Sequence, residues 1–212
     1  MHCEIKREDI NFILSHFFVP LRKVQLMLII GITGTLGAGK GTIVDYLVRY
    51  KNFRHLSVRQ FLIEKIKEQG YEVNRDSMVL VANQLRAENS PSFIVDQLYE
   101  EALLSGDNCI IESIRTPGEV MSLREKGNFY LIAVDALPEL RYERIFKRKT
   151  ETDSISYDVF LENELREMNS PDPNNQNIGK CMQMADFVFS NNGTVEELES
   201  SIEQTLFSIP GN

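Results

Sequence analysis

From residue 26 onward, short and nearly continuous apolar runs alternate with longer segments whose apolar residues recur at helical spacing. That pattern predicts an α/β fold, a parallel sheet with helices on both faces. Five runs read as strands: 26–32 (LMLIIGI), 53–58 (FRHLSV), 108–113 (NCIIES), 129–135 (FYLIAVD) and 185–190 (ADFVFS). Most lack polar alternation, as strands covered on both sides do. Helix starts are marked locally. Ser90 ahead of Pro91 offers a side-chain cap before a proline whose missing N–H costs nothing there. Thr116, Pro117 and Glu119 have the spacing of a capping box, and Thr194 with Glu197 repeats it ahead of Val195, Leu198, Ile202 and Leu206, a stripe read as core packing. The polar segment 170–177 (SPDPNNQN) reads as a surface loop.

Composition narrows the class. The 212 residues are 42% apolar and 25% charged, as expected for one folded domain carrying a lid-sized excursion. With 23 basic and 31 acidic side chains the net charge is −8, which argues against a nucleic-acid partner but leaves room for a local basic cleft. Nothing approaches the roughly 18 to 20 unbroken apolar residues of a membrane span, so no membrane partner is expected. Cys3, Cys109 and Cys181 are odd in number, far apart and without a CxxC pair. Neither a disulfide framework nor a zinc site follows, and a reducing, cytoplasmic setting is the expectation. The apolar stretch 10–21 has no small-residue cleavage site, which disfavours a signal peptide. Met27 directly precedes LIIGITG, so residues 1–26 are expected to be an extension to a domain at 27–208, or to reflect a start codon assigned too far upstream. The extension is either a helix packed on the domain or a contact with a partner, and the oligomeric state is not legible. His2, His16 and His55 show no metal spacing, and His55, within a predicted strand, is expected to be buried.

The sharpest signal is GTLGAGKGT at 34–42, between an apolar strand and a segment (Ile43, Val44, Leu47, Val48) with helical spacing. It fits the phosphate-binding pattern G-x-x-x-x-G-K, except that Gly41 stands at the hydroxyl position and Thr42 follows. Gly34, Gly37 and Gly39, with Ala38 among them, let the backbone turn tightly and aim N–H groups inward, where the helix beginning there adds its positive end. Lys40 supplies mobile charge for the terminal phosphates of ATP, and Thr42 a hydroxyl for Mg2+. GTP-binding switches would need Asn-Lys-x-Asp and Asp-x-x-Gly motifs, and the chain has neither.

The loop resembles that of the nucleoside monophosphate kinases, adenylate kinase in particular. Further segments extend the likeness from about residue 27 to 206. IIESIRTPGEV (110–120) resembles the place where a strand of these kinases ends in an acid and an arginine follows. RYERIFKRK (141–149) is similar to the arginine-bearing helix leading into the lid of adenylate kinases and dephospho-CoA kinases. ADFVFSNNGTVEEL (185–198) resembles their last strand and adenine-side turn, and VNRDSMVLVANQLRAEN fits the order of the archaeal adenylate-kinase-related family. The resemblance implies a three-layer α/β/α P-loop NTPase fold with a five-stranded parallel sheet and a short, cysteine-free lid at about 149–157.

It also implies roles. Thr42 and Glu112, the latter where aspartate is usual, would attend Mg2+. Lys40, Arg115, Arg144 and Arg148 would act on the transferring phosphoryl group, and Arg59, Arg86 and Arg115 would hold the acceptor. Gly34 to Thr42 (Gly34, Gly37, Ala38, Gly39, Lys40, Gly41, Thr42) would cradle the phosphates, with Asn192 and Gly193 beside the adenine. Arg59 and Arg86 could equally be helix-surface charges facing Glu64 and Glu88. Arg141 and Lys147 read as solvated, and Asp135 as a strand-end residue capping the next turn. The activity implied is transfer of the ATP γ-phosphoryl group to a nucleotide-like small-molecule acceptor. A dephospho-CoA kinase, and an ATP-binding regulator or ATPase without an acceptor, are the alternatives.

Overall fold

The computed structural model describes residues 27–148 and 155–210. The extension at 1–26 and positions 149–154 of the expected lid lie outside the described residues. Along the chain run β1 (Ile29–Gly34), α1 (Lys40–Lys51), β2 (Arg54–Ser57), α2 (Val58–Glu68), α3 (Arg75–Glu88), α4 (Phe93–Ser105) and β3 (Cys109–Glu112). Then follow α5 (Pro117–Glu125), β4 (Phe129–Asp135), α6 (Pro138–Arg148), α7 (Tyr157–Met168), α8 (Ile178–Gln183), β5 (Phe187–Ser190) and α9 (Val195–Ser208).

The five strands form one parallel sheet in the order β2-β3-β1-β4-β5. Each stands where the apolar runs put it, trimmed by a few residues at the ends. Burial splits β1 by residue parity. Ile29 faces a core that includes Leu62 of α2, Val81 of α3, Leu98 of α4 and Val120 of α5, whereas Leu28, Ile30 and Ile32 face Ile43 and Leu47 of α1 and Leu198, Ile202 and Leu206 of α9. The result is a three-layer α/β fold. At full burial each such side chain contributes about 1.5–3 kcal/mol, so the two faces, not helix propensity, hold the layers. Edge strand β5 is covered on one face only and alternates, Phe187 and Phe189 inward, Val188 outward.

The chain leaves β1 toward β2 and β3 on one side and later returns to β4 on the other. The C-terminal end of β1 is therefore the switch point at which open α/β sheets bind ligands, and 34–42 begins there. Its glycines at 34, 37 and 39 all take positive φ and leave no room for a Cβ. Gly34, at φ +139°, would place a Cβ 2.0 Å from the Val134 carbonyl oxygen, and Gly39, at φ +107°, would place one 2.3 Å from Asn191 Nδ2.

Local caps explain several boundaries. Ser57 ends β2 and caps α2, its Oγ accepting from Gln60 N at 3.2 Å. Both capping boxes form: Glu119 N donates to Thr116 Oγ1 and Thr116 N to Glu119 Oε2, and Thr194 with Glu197 does the same. One start differs from expectation. Helix α4 begins at Phe93, after Ser90 and Pro91, because Ser92 occupies the N-cap position and its Oγ donates to Asp96. The α9 stripe is core at Leu198, Ile202 and Leu206, but Val195, on the first turn, is 54% exposed.

Candidate active site

A cavity of about 750 Å³ opens where the C-terminal ends of β1 and β3 meet α1, α2, α3 and α6. Its floor is the loop from Leu36 to Thr42, including Gly37, Ala38, Gly39 and Gly41. Gly41 meets no atom within 4 Å of a would-be Cβ, so nothing in the packing demands a glycine there. Lys40 Nζ donates to the carbonyls of Gly34 and Thr35, both at 2.8 Å. Burial, and next the Arg115 charge, pull its pKa down to about 7, against the opposing pull of Glu112 and Glu167. Thr35 is anchored in turn by its hydroxyl, which donates to Asp135 Oδ1 at 2.5 Å, and the same oxygen accepts from Ala136 N. Asp135 thus caps the turn after β4, as expected, and also steadies the loop.

Around the floor the charges are predominantly positive. Lys40, Arg59, Arg75, Arg86, Arg115, Arg144 and Arg148 line the cavity, against Asp45, Glu112 and Glu167. Seven cations facing three carboxylates make a basic cleft in a protein whose net charge is −8, a field that concentrates anions.

The expected site residues fall into groups. Thr42 and Glu112 share the cavity. Burial pushes the Glu112 pKa up, but His55, the Lys40 charge and the Ser57 hydroxyl outweigh it and hold the carboxyl below its usual range. His55, expected inside a strand core, is exposed instead, because its edge strand leaves that face open, and its Nε2 lies 3.5 Å from Glu112 Oε1. Arg59 is exposed on the first turn of α2 and reaches Met78 Sδ. Arg86 is no surface charge. It is 1% exposed, its Nε and Nη2 both donate to Glu119 Oε1, and its Nη1 has no hydrogen-bond partner among the described residues. Glu64 and Glu88 pair with Gln60 and Gln84 rather than with the arginines.

Arg144 Nη2 donates to the Asn191 carbonyl at 3.0 Å, with Nη1 buried and unpartnered among the described residues. Arg148 lines the cavity from the end of α6. Arg141, expected to be solvated, is 2% exposed. Its guanidinium donates to Ala136 O at 2.8 Å, to Leu36 O and to both carboxylate oxygens of Glu164, and lies over the Phe160 ring. A residue on the inner face of α6 has no route to solvent once α7 packs there. Lys147, on the opposite face, is exposed as expected.

Asn192 and Gly193 do not line the cavity. Asn192 bonds Leu137 N and Ser190 Oγ, and Gly193 is small because a Cβ would strike Glu197 of the capping box. Asn191, one residue earlier, makes the connection to the loop: it is 8% exposed and its Nδ2 donates to Ala38 O at 2.8 Å.

Three residues at the site carry no sequence signal of their own: Arg75, Glu167 and Gln176. Gln176 belongs to the expected surface loop, which is exposed at Pro171–Pro173 but turns inward so that Gln176 Oε1 accepts from Arg115 Nη1 at 2.5 Å. Ser113, between Glu112 and Arg115, takes a left-handed φ of +64°. That kink returns Ile114 N to Ile32 O and Ile114 O to the Thr33 hydroxyl, and sends Arg115 toward the cavity. Such a conformation at a non-glycine residue costs about 1–3 kcal/mol and collects at functional sites.

A UPF0200 protein of Methanocaldococcus jannaschii is 33% identical over 189 residues, 88% of this chain and 92% of that protein. The family model described as an AAA domain matches residues 30–170. The chain belongs to the UPF0200 family and carries this AAA domain. A second UPF0200 relative, from Sulfurisphaera tokodaii, is 28% identical over 183 residues, covering 86% of this chain and 98% of its own. Among solved structures, shikimate kinase from Bacteroides thetaiotaomicron aligns with a TM-score of 0.54 at 14% identity, over 85% of this chain and 99% of its own. A gluconokinase from Sinorhizobium meliloti aligns with 0.51 at 12% identity, over 86% and 98%. These likenesses establish that this UPF0200 chain has a P-loop kinase-like fold. Among the described residues no helix is long and apolar enough to cross a membrane, and no group of His, Cys, Asp or Glu forms a metal cluster.

Proposed function

We propose that the protein is an ATP-dependent phosphotransferase that moves the γ-phosphoryl group to a phosphate-bearing, nucleoside-monophosphate-like acceptor. The observation that carries this reading is the cavity itself. A phosphate-binding loop and three arginines from outside it, Arg75, Arg86 and Arg115, line one space large enough for two ligands. A protein that only bound or hydrolysed ATP would have no use for Arg75 and Arg86, each with a buried, unspent donor, in that wall.

The donor set fits MgATP. The loop is a cradle that side chains would fill, Lys40 reaches its rim, and Thr42 and Glu112 are the oxygen donors beside it, Glu112 held ionised. Thr42 and Glu112 would hold Mg2+, which supplies charge neutralisation to the phosphate oxygens when bound. In phosphoryl transfer the protein positions two anions in line and stabilises charge on the equatorial oxygens. In that scheme Lys40 moves from the two carbonyls to the terminal phosphates, Arg144 and Arg148 close over the transferring group from α6, and Arg115, with Arg59 and Arg86, orients the acceptor. Asn191 keeps the loop in register with the last strand.

The test is ADP release from MgATP against a panel of ribo- and deoxynucleoside monophosphates and dephospho-CoA, each beside a no-acceptor control. Stimulation by a monophosphate is expected. Stimulation by dephospho-CoA alone would assign the runner-up activity, and hydrolysis indifferent to every acceptor would overturn the phosphotransferase reading in favour of an ATPase, which the AAA-domain match also accommodates.

A further inference from the structure

Glu167 lies in the last turn of α7, 6% exposed, between two arginines from distant parts of the chain. Its Oε1 accepts from Nη2 of Arg75, the first residue of α3, and its Oε2 accepts from Nη1 of Arg115 at 2.8 Å. With Gln176 accepting from the same Arg115 nitrogen, both hydrogens of Nη1 are committed. Taking a carboxylate and two guanidiniums out of water is costly, and apolar side chains of similar volume would hold the elements together as well. The arrangement has a direction that apolar packing would not supply.

Two guanidiniums at the cavity are each held by a carboxylate and keep a donor unspent. Arg75 retains a buried Nε, and Arg86, pinned in the same manner by Glu119, retains a buried Nη1, neither with a partner among the described residues. With Arg115 they line the same cavity as the glycine-rich loop. Three positive charges against two carboxylates leave a surplus of one, and guanidiniums held by carboxylates with donors to spare are a preorganised receptor for a tetrahedral oxyanion.

We propose that Glu167 is a positioning residue of the acceptor site, setting Arg75 and Arg115 for the acceptor's phosphate and tying α7 to that site. The proposal rests on the phosphotransferase reading and specifies its acceptor pocket. Glu167 touches no reacting atom. It acts through the two arginines.

The experiment uses the full chain with its nucleotide site filled by Mg–AMPPNP and inorganic phosphate as the probe, titrated by calorimetry. Wild type is expected to bind one phosphate, and Arg115→Ala to lose it. Glu167→Gln, although it removes a negative charge from the pocket, is expected to weaken phosphate by about tenfold, the scale of one charge-assisted hydrogen bond, while Mg–AMPPNP affinity stays within about twofold. Glu167→Asp is expected to recover part of the loss. Should Glu167→Gln not fold, Arg75→Gln, at a residue with 24% side-chain exposure, reports the same pair and is expected to weaken phosphate likewise. Phosphate bound equally or more tightly by the variants overturns the positioning role and leaves the phosphotransferase reading standing, since a carboxylate that merely competed for the arginines would release them when removed. Absence of phosphate binding beside bound nucleotide in wild type overturns both this proposal and the acceptor site, whereas failure to bind Mg–AMPPNP overturns the phosphotransferase reading itself.

Discussion

Lys40 illustrates how a single side chain carries the site's electrostatics. In the ligand-free protein, burial and the Arg115 charge lower its pKa to about 7. Nucleotide phosphates favour the ammonium form and so raise that pKa on binding. Below the free-state value the lysine is already charged and binding takes up no proton. Above it, binding must supply one, and affinity falls as pH rises. Calorimetry in buffers of different ionisation enthalpy should therefore show an uptake approaching about one proton per nucleotide at about pH 8. Lys40→Met should abolish both the uptake and phosphoryl transfer while leaving thermal unfolding near that of wild type, because the bonds Nζ makes among the described residues are to two loop carbonyls. Equal uptake in the variant would assign the titration elsewhere.

Among the elements, the two capping boxes share a sequence signature and differ in consequence. Thr194 and Glu197 sit exposed at the start of α9, so Thr194→Ala should cost about 1 kcal/mol. Glu119 is fully buried at the start of α5, where it receives Arg115 N at 2.7 Å, Thr116 N and the Arg86 fork together. Glu119→Ala strands the Arg86 charge and should cost about 3–5 kcal/mol. Urea unfolding of both variants, with unchanged slope, is the measurement, and similar losses would contradict the difference in burial. The box was legible because it is a local pattern of three residues. Its second function was not, since Arg86 stands 33 positions away and meets Glu119 only when the end of α3 is brought to the start of α5.

At the scale of the whole molecule, Arg141 joins three parts: the glycine-rich loop through Leu36 O, the end of β4 through Ala136 O, and α7 through Glu164. Arg141→Ala leaves Glu164 without its cation and loosens α7, which also carries Glu167. A loss of about 3–5 kcal/mol in unfolding free energy is expected, together with weaker binding of both Mg–AMPPNP and phosphate. Loss of one ligand alone would show that the two halves of the cavity are not joined through this residue.

The sequence by itself determined the strands, the helix that follows the phosphate-binding loop, the loop's lysine and threonine, and the two boxes. Each is written in neighbouring residues, as an apolar run, a glycine spacing or a cap, and local sterics and hydrogen bonding are enough to realise it. It also placed Glu112 and Arg115 at the end of β3, since a strand end followed by a turn is again local. Only the tertiary structure decided the fate of the charges. Arg86 and Arg141 look like surface residues within helices rich in polar side chains, yet both are buried because a carboxylate from another element meets them. Arg75, Glu167 and Gln176 lie in polar stretches with no pattern and converge only when α3, α7 and the loop after it are brought to one cavity. Whether a polar residue is solvated or sequestered depends on which distant partner offsets its desolvation, and that partner is a property of the packed molecule rather than of any window along the chain.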